Sequence, residues 1–408
     1  MPKWLLGLIV FLAACGGRAA VTETPVANDV AANAPARATD GVPTPTLPPP
    51  EWREATTSIT LDNAPQISYL GRLDANSRPS TVFDYDFAPD NTLLAALNND
   101  LLIVWDLITG EEILSQERGD AARVLFSADK TELFLIGSTG QTAIIDTTTG
   151  STIDNFAAHP TFNNSIAYYE DDGLLAVGGT DGDVKVWDVF ERISLVTIAA
   201  HGAEAVDKIA FSHDGERLAT GGLGAVHLWN WRDRERIASF ALGDALPQHV
   251  VFSPDDTQLA VKTQEMLYLL DPTDMTVLHS TLLPRNGGVD LLAYSPDGRF
   301  LITDDILTEI SIWNTETGQR IVRLPNVGER RVSAAFSPSG DMLLTSSLTG
   351  PVTLWNIAAP GEQDVARADL DVEGERHFAV AWTDDGRLLT ILDALGPIYV
   401  WGIADDSE

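Results

Sequence analysis

The chain has 408 residues, of which 44% are hydrophobic, enough to form a substantial core. Only 26 Lys and Arg stand against 59 Asp and Glu, which gives a formal net charge of −33. A surface this acidic repels phosphate backbones and anionic lipid headgroups, so general nucleic-acid binding is not expected. The single cysteine excludes an internal disulfide, and packing alone must hold the fold.

The N-terminus is typical of a secretory signal. The apolar run from Trp4 to Leu12 is too short to span a bilayer, which needs about 20 residues in a helix. Leu12-Ala-Ala-Cys15 resembles the bacterial lipobox, which implies cleavage before Cys15 and acylation of its thiol. We therefore expect a signal peptide at residues 1–14 and a lipid anchor at Cys15, on the extracytoplasmic side of a bacterial cell envelope. The alternatives are an uncleaved anchor, or a soluble protein whose cysteine happens to end an apolar segment.

Residues 15–57 are rich in Pro, Ala and Thr and show no apolar periodicity. Such a segment cannot bury enough surface to offset the entropy of ordering, so we expect a disordered tether. As a coil it would reach roughly 35 Å, and a tether of that kind holds a folded domain clear of a membrane. The same composition also fits an unstructured segment with no role.

From residue 58 onward, two sets of landmarks repeat in register. In the first set, an aromatic residue ends a β-like run just before a turn. In the second set, a bulky residue closes another apolar run 18 or 19 positions later. The first set is Phe87, Phe126, Tyr169, Phe211, Phe252, Tyr294, Phe336 and Trp382, and the second is Trp105, Ile145, Trp187, Trp229, Leu270, Trp313, Trp355 and Trp401.

Each repeat contains four short β-like runs separated by turn residues, as repeat four illustrates. Its predicted strands are 206–211, 217–221, 225–229 and 236–240, and the first two are joined by Ser-His-Asp-Gly. Asp and Gly in such turns supply side-chain capping and positive φ. The apolar central runs suit strands that are buried on both faces, and the more polar fourth run suits an outer edge.

The repeats resemble WD40 repeats, in particular the Tyr-Ser-Pro-Asp-Gly, Leu-Ala-Thr-Gly-Gly and Val-Lys-Val-Trp-Asp segments that begin at Tyr294, Leu218 and Val184. The resemblance implies a β-propeller and a structural hydrogen-bond tetrad of His, Ser or Thr, Asp and Trp. Val177 stands where repeat three should have Ser or Thr, and repeat four lacks the Asp. The tetrad-like residues are His159, Asp181 and Trp187 in repeat three, and His201, Thr220 and Trp229 in repeat four.

Eight repeats predict an all-β, WD40-like propeller of eight four-stranded blades over residues 58–408. Seven blades would require one landmark of each set to be false. After Trp401 the chain is too short for the outer strand of the last blade, whereas an unassigned β-like run, QISYLGRL, covers residues 66–73. If that run supplies the missing strand, the two termini close the ring within one blade and leave no exposed sheet edge at the join.

Signatures of catalysis are absent from the sequence. No Gly-x-Ser-x-Gly, His-Glu-x-x-His, P-loop or Gly-x-Gly-x-x-Gly motif occurs. Paired acids such as Asp171-Asp172 and Asp255-Asp256 fall mostly in turns, where Asp is ordinary. We therefore predict no catalytic residue, cofactor or metal site. Three turns, Asp106–Gly110, Asp146–Gly150 and Asn314–Gly318, resemble the Asp-x-x-Thr-Gly turns of eight-bladed quinoprotein-like propellers, although the docking Trp expected shortly after the Gly is absent.

The charges divide between the two ends of the predicted propeller. Connections between repeats hold much of the scarce basic charge, whereas the turns after the first strand carry Asp90, Asp129, Asp171, Asp214, Asp255, Asp297 and Asp384. Arginines gathered on one rim could contact an acidic partner, or they could neutralise nearby carboxylates. The candidate partner-binding residues are Arg123, Arg285, Arg330, Arg331 and Arg376.

We therefore expect a monomeric, membrane-tethered, non-enzymatic scaffold that binds a protein or peptide and no nucleic acid. This expectation rests on the fold-level resemblance, which does not identify a partner. The alternative is a quinoprotein-like enzyme, or a ligand or metal sensor, that uses the central channel. Several carboxylates or histidines converging on the channel would favour that alternative.

Overall fold

The computed structural model describes residues 52–74, 82–98, 101–118, 121–161, 163–283, 291–304, 309–324, 332–347, 350–359, 367–370, 377–393 and 397–404. Within these ranges the chain is almost entirely β-structure, and its one helical element is a single 3-10 turn at Ala64–Gln66. The described residues contain no helix that is long and apolar enough to cross a membrane. The proposed signal peptide, Cys15 and the tether as far as Glu51 lie outside the described residues.

Within the described residues, thirty-two strands form eight four-stranded sheets, the blades, each numbered here from its innermost strand. Blade 1 comprises β2 (Val82–Phe87), β3 (Leu93–Asn98), β4 (Leu101–Asp106) and β5 (Glu112–Glu117). Blade 2 comprises β6 (Ala121–Phe126), β7 (Glu132–Gly137), β8 (Gln141–Asp146) and β9 (Thr152–Ala157). Blade 3 comprises β10 (Asn163–Tyr169), β11 (Leu174–Gly179), β12 (Asp183–Asp188) and β13 (Ile193–Ala199). Blade 4 comprises β14 (Lys208–Phe211), β15 (Arg217–Gly222), β16 (Ala225–Asn230) and β17 (Glu235–Ala241).

The remaining blades follow the same order. Blade 5 comprises β18 (Pro247–Phe252), β19 (Leu259–Thr263), β20 (Met266–Leu270) and β21 (Val277–Leu282). Blade 6 comprises β22 (Leu292–Tyr294), β23 (Phe300–Asp304), β24 (Ile310–Asn314) and β25 (Arg320–Leu324). Blade 7 comprises β26 (Val332–Phe336), β27 (Met342–Ser347), β28 (Val352–Asn356) and β29 (Arg367–Leu370). Blade 8 comprises β30 (His377–Trp382), β31 (Leu388–Asp393), β32 (Ile398–Gly402) and β1 (Ser68–Leu73).

The predicted eight-bladed propeller and its closure are confirmed. Seven blades are simple antiparallel meanders of four consecutive strands. Blade 8 instead takes its outer strand from the other end of the chain, because β1 pairs antiparallel with β32 from Ser68 opposite Gly402 to Leu73 opposite Ile398. The run predicted at residues 66–73 therefore supplies the fourth strand, and the ring is closed by hydrogen bonds between the two chain ends.

Burial follows the position of each strand in its blade. The second strands lie between neighbouring blades and are mostly buried. Every residue of β11 and β31 is buried, including Thr390 and Asp393 of β31. The outer strands alternate, and β5 and β9 expose every second side chain. This is the period of two expected where one face of a strand packs and the other meets water.

The core consists of apolar layers between adjacent blades. Both sets of landmarks contribute to these layers: Trp105 and Trp355 are 2% exposed, and Phe126 and Phe336 are also 2% exposed. One layer joins blades 8 and 1 and includes Leu70, Leu94, Trp105 and Val400. Full burial of a large apolar side chain contributes about 1.5–3 kcal/mol, so each layer fixes its two blades strongly against one another.

Candidate functional site

The turns between the first and second strands of the blades gather at one end of the propeller, here called the turn end. In five of them a Ser or Thr hydroxyl donates to the Asp two residues later; the Ser127–Asp129 distance, for example, is 2.7 Å. The Ser127 hydroxyl and the Thr131 amide hold the pKa of Asp129 below its usual range. Exposed carboxylates at the turn end are Asp90, Asp129, Asp171, Asp172, Asp214, Glu216, Asp255 and Asp297.

Three of these turns contact the preceding blade through a non-glycine residue with positive φ. Asn91, Lys130 and Asp256 have φ of 58°, 57° and 56° at the position where other blades have Gly. The Asp256 carboxylate accepts hydrogen bonds from the backbone amides of His213 and Asp214, each at 2.8 Å. Asn91 accepts from the Asp384 amide at 3.1 Å, and Lys130 pairs with Asp90. These side chains therefore tie neighbouring blades together at the turn end.

A cavity of about 390 Å³ lies at the innermost strands of blades 1 to 5 and 8, where the central channel meets the turn end. Three carboxylates line it, those of Asp86, Glu170 and Asp384, together with Arg123 and His213. Burial raises the pKa of Asp86 well above its usual range, although the Phe126 amide donates to its Oδ2 at 2.7 Å. The cavity therefore combines apolar and aromatic side chains with three carboxyl groups, and it is not a plain apolar hole.

Arg123 does not lie in a connection between repeats, where the sequence analysis placed it. It is the third residue of the innermost strand β6 and lines the channel cavity. Its Nη1 donates to Asp84 Oδ1 at 2.7 Å, and the two side chains are 21% and 11% exposed. The backbone amide of Val124 donates to the other oxygen of Asp84. Arg123 thus joins blades 1 and 2, which is the neutralising role considered above.

The other four candidate arginines, Arg285, Arg330, Arg331 and Arg376, lie outside the described residues, and their role as partner-binding residues stays a prediction.

In blade 4 three tetrad-like residues form one hydrogen-bonded chain. Trp229 Nε1 donates to Thr220 Oγ1 at 3.0 Å, and His201 Nε2 lies 3.0 Å from the same hydroxyl. Thr220 is fully buried, which requires its hydroxyl to be satisfied within the protein. Burial lowers the pKa of His201, which favours the neutral imidazole.

In blade 3 the three tetrad-like residues do not form such a chain. Trp187 Nε1 donates to the Ala158 carbonyl at 2.8 Å, because Val177 offers no hydroxyl. His159 Nδ1 lies 3.0 Å from Thr161 Oγ1, while its Nε2 is 3.7 Å from Asp181. Burial lowers the pKa of His159. The interactions therefore stay local to the turn and the neighbouring carbonyl.

Two further Thr–Trp pairs were missed by the sequence analysis. Trp313 Nε1 donates to Thr303 Oγ1 at 2.9 Å in blade 6, and Trp355 Nε1 donates to Thr345 Oγ1 at 2.9 Å in blade 7. Both pairs have a spacing of ten residues, close to the nine between Thr220 and Trp229. That spacing was a usable signal, but the preceding histidine of the tetrad was taken as the landmark instead.

The three Asp-x-x-Thr-Gly-like turns are built as their sequence suggests. Asp106 Oδ1 accepts from the amides of Ile108 and Thr109, and Gly110 adopts a φ of 73°. Two of their glycines are covered by a side chain from the blade before them, and the third is covered by a residue outside the blades. Leu114 and Gln116 of blade 1 cover Gly150, and His279 of blade 5 covers Gly318. The residue that covers Gly110 is Trp52, which the sequence analysis had placed in the tether.

Across the described residues, no group of three or more His, Cys, Asp or Glu side chains is arranged to hold a metal ion.

Comparison with known proteins places WD40 repeats in this chain. The model of the family described as WD domain, G-beta repeat matches residues 150–188 and 193–230, which cover blade 3 and most of blade 4. Among solved structures, the computationally designed Ika8 protein matches with a TM-score of 0.66 and 17% identity, over 81% of this chain and 98% of that one. The C-terminal WD40 domain of Sif2 matches with a TM-score of 0.65 and 12% identity, over 83% of this chain and 99% of that domain.

Curated relatives match over shorter segments. The ribosome biogenesis protein YTM1 of Scheffersomyces stipitis is 32% identical over 36% of this chain and 34% of its own length. The periodic tryptophan protein 2 of Arabidopsis thaliana is 23% identical over 53% of this chain and 25% of its own length. The apoptotic protease-activating factor 1 of Rattus norvegicus is 26% identical over 47% of this chain and 16% of its own length. The matched segments thus span about a third or less of these relatives.

Proposed function

We propose that this propeller is a non-enzymatic interaction scaffold, held to a membrane through Cys15 on the extracytoplasmic side of a bacterial cell envelope. The observation that carries the proposal is the closed ring of eight blades, whose turns are fixed by their own hydrogen bonds and by ties between blades. Such a ring presents loops in constant positions, which lowers the entropy cost of binding a protein. WD40 propellers are typical of protein-interaction scaffolds, and this supports a protein or peptide partner.

The binding surface is tested by charge reversal at each end. Affinity capture from detergent-solubilised membranes would compare the wild type with Arg330→Glu/Arg331→Glu, in a connection between repeats, and Asp171→Lys/Asp172→Lys, at the turn end. If the propeller is a scaffold, at least one captured protein should be lost from one of these variants and retained by the other, because rim charges steer and select partners. Capture of the same proteins by all three forms, or of none by any, would count against the proposal.

The anchor is tested separately. Metabolic labelling with an alkyne fatty acid should mark the wild type and leave Cys15→Ser unmarked, and the variant should be released from the membrane fraction. The lipobox resemblance supports this expectation, since Cys15 is the one thiol of the chain. Unchanged labelling in Cys15→Ser would remove the anchor from the proposal and leave the scaffold untouched.

A second candidate is a ligand sensor in the central channel, and the convergence of Asp86, Glu170 and Asp384 on the channel cavity favours it. The hydrogen bond from the Phe126 amide gives Asp86 a structural use, which is why the scaffold ranks first. Titration with a panel of small cations and amines, followed by calorimetry, separates the two. Saturable heat that Glu170→Gln abolishes would support the sensor.

A further inference from the structure

Residues 52–60, here called the strap, cross the turn end of blade 8. Blades 1 to 6 have a short turn there between their third and fourth strands, but β32 and β1 of blade 8 belong to opposite ends of the chain. The strap occupies the place of that turn. Its Thr57 forms an antiparallel bridge with Ile403, its Arg53 amide donates to the Leu70 carbonyl at 3.0 Å, and its Ile59 amide donates to Gly386 at 2.9 Å.

The strap is packed on both sides of blade 8. Ala55 is 5% exposed and belongs to the apolar layer between blades 8 and 1. Ile59 is also 5% exposed and belongs to the layer between blades 7 and 8. The ordered domain thus starts before residue 58, the boundary taken from the sequence, because short apolar residues within the Pro-rich composition pack onto the last blade.

Trp52 lies at the first described position of the strap, between two glycines of different blades. A Cβ at Gly71, in β1 of blade 8, would overlap its ring, and so would a Cβ at Gly110, in the Asp106–Gly110 turn of blade 1. The ring therefore bridges the seam at which the propeller closes.

The register of the blades explains why a tryptophan is needed there. Gly71 lies opposite Val400, one residue before the tryptophan of the third strand. The equivalent outer-strand positions are Leu114, opposite Val104, and His279, opposite Leu269. Those two side chains cover the turn glycines of the following blades, Gly150 and Gly318. Blade 8 has no side chain at this position, and the Trp52 ring fills the space that one would occupy.

We infer that Trp52 is the clasp of the ring: it supplies from the strap the side chain that blade 8 lacks at Gly71, and it thereby fixes β1 across the seam to blade 1. The strap, β1 and the turn at Gly110 form one cooperative unit.

Hydrogen exchange of the full-length protein, followed by mass spectrometry, tests the clasp. Trp52→Ala should speed exchange of the β1 and β32 amides by at least about tenfold, since a large aromatic contact is lost at a locally opening unit. Exchange in blade 3 should not change. The matched control is Phe190→Ala, which removes an exposed aromatic ring that covers Gly173 within blade 3 and should leave β1 protected.

A double-mutant cycle decides between a clasp and general damage. Gly71→Leu alone should also speed exchange of β1, because its side chain displaces the Trp52 ring. Combined with Trp52→Ala, the same leucine occupies the position that Leu114 has in blade 1, and protection of β1 should return towards the wild-type level. The inference is overturned if Trp52→Ala leaves the exchange rates of the β1 amides unchanged. It is also overturned if the fold increase of these rates in the double variant equals the product of the fold increases in the two single variants.

Discussion

Blades 4 and 8 bury a tryptophan at the same place in the third strand, but the hydrogen bonding of the indole N–H differs between them. Trp229 is 6% exposed and Trp401 is 7% exposed, and each lies opposite a leucine of the second strand. Two residues after that leucine, blade 4 has Thr220, whereas blade 8 has Ile391. Trp229 Nε1 therefore donates to a hydroxyl, while Trp401 Nε1 is buried and has no hydrogen-bond partner among the described residues.

The difference shows which part of the repeat the architecture requires. The apolar body of the tryptophan is needed in both blades, because it fills the layer between neighbours. The hydrogen bond is an addition, which blade 8 lacks although it is the blade that closes the ring. A buried N–H without a partner costs about 1–3 kcal/mol, and the packing of blade 8 must offset that cost.

The largest expected effect comes from removing either tryptophan. Trp229→Ala and Trp401→Ala should each lower the free energy of unfolding by about 3–5 kcal/mol, through lost burial and the cavity that remains. Trp229→Ala should be the more harmful, since it also leaves the Thr220 hydroxyl with one partner fewer. Urea unfolding of both variants measures the difference. A larger loss in Trp401→Ala would reverse the comparison.

A smaller effect separates two buried threonines. Thr220→Val removes the hydroxyl that accepts from Trp229 and contacts His201, and should cost about 1–3 kcal/mol. Thr390 of blade 8 is the matched control, because it is also fully buried and its Oγ1 has no hydrogen-bond partner within the part of the chain that the structure describes. Thr390→Val should therefore be neutral or stabilising. Equal losses of unfolding free energy in the two variants would show that the hydrogen-bonded chain contributes nothing beyond packing.

The smallest expected effect is a dependence on pH from a histidine of blade 4, at a register position where blade 8 has a tyrosine. His227 stacks on His201 with ring centroids 4.6 Å apart, while blade 8 has Tyr399 at the same register position. Burial, together with the charge of His201, lowers the pKa of His227 from 6.5 to about 4. Between these values the unfolded chain binds more protons than the folded one, so the unfolding free energy falls as the pH is lowered through this window.

His227→Gln should flatten that part of the stability profile and leave the profile above pH 6.5 parallel to the wild type. Tyr399→Phe provides the control, because a phenol does not titrate in this window. Chemical unfolding at a series of pH values between about 4 and 7.5 measures both. An unchanged slope in His227→Gln would mean that other groups carry the acid sensitivity.

Much of the fold could be predicted from the sequence because its signals are local and repeated. Aromatic residues before turns rich in Ser, Pro, Asp and Gly mark the end of each first strand, and the turn chemistry needs only residues a few positions apart. The spacing of these signals gave eight blades, and the shortage of chain after Trp401 indicated that the run at 66–73 closes the ring. These features depend on strand period and turn conformation, which a few neighbouring residues determine.

The site could be predicted less well, because its contacts join residues from different blades. Arg123 was assigned to a rim connection from its place after a loop, but pairing with Asp84 draws it into the channel. Trp52 was assigned to the tether because its neighbours are Pro-rich and charged. Its partners, Gly71 and Gly110, are 19 and 58 positions away and carry no pattern that points back to it.

The sequence by itself thus determined the repeat, the number of blades, the acidic turns and the closing strand, since each follows from local propensity repeated at a constant period. Only the tertiary structure decided which charges are neutralised, which indole N–H groups find partners and what holds the closing seam. Those outcomes depend on the register between blades and on the space left where a side chain is missing. Neither quantity can be read along the chain, because each is set only when two distant segments meet.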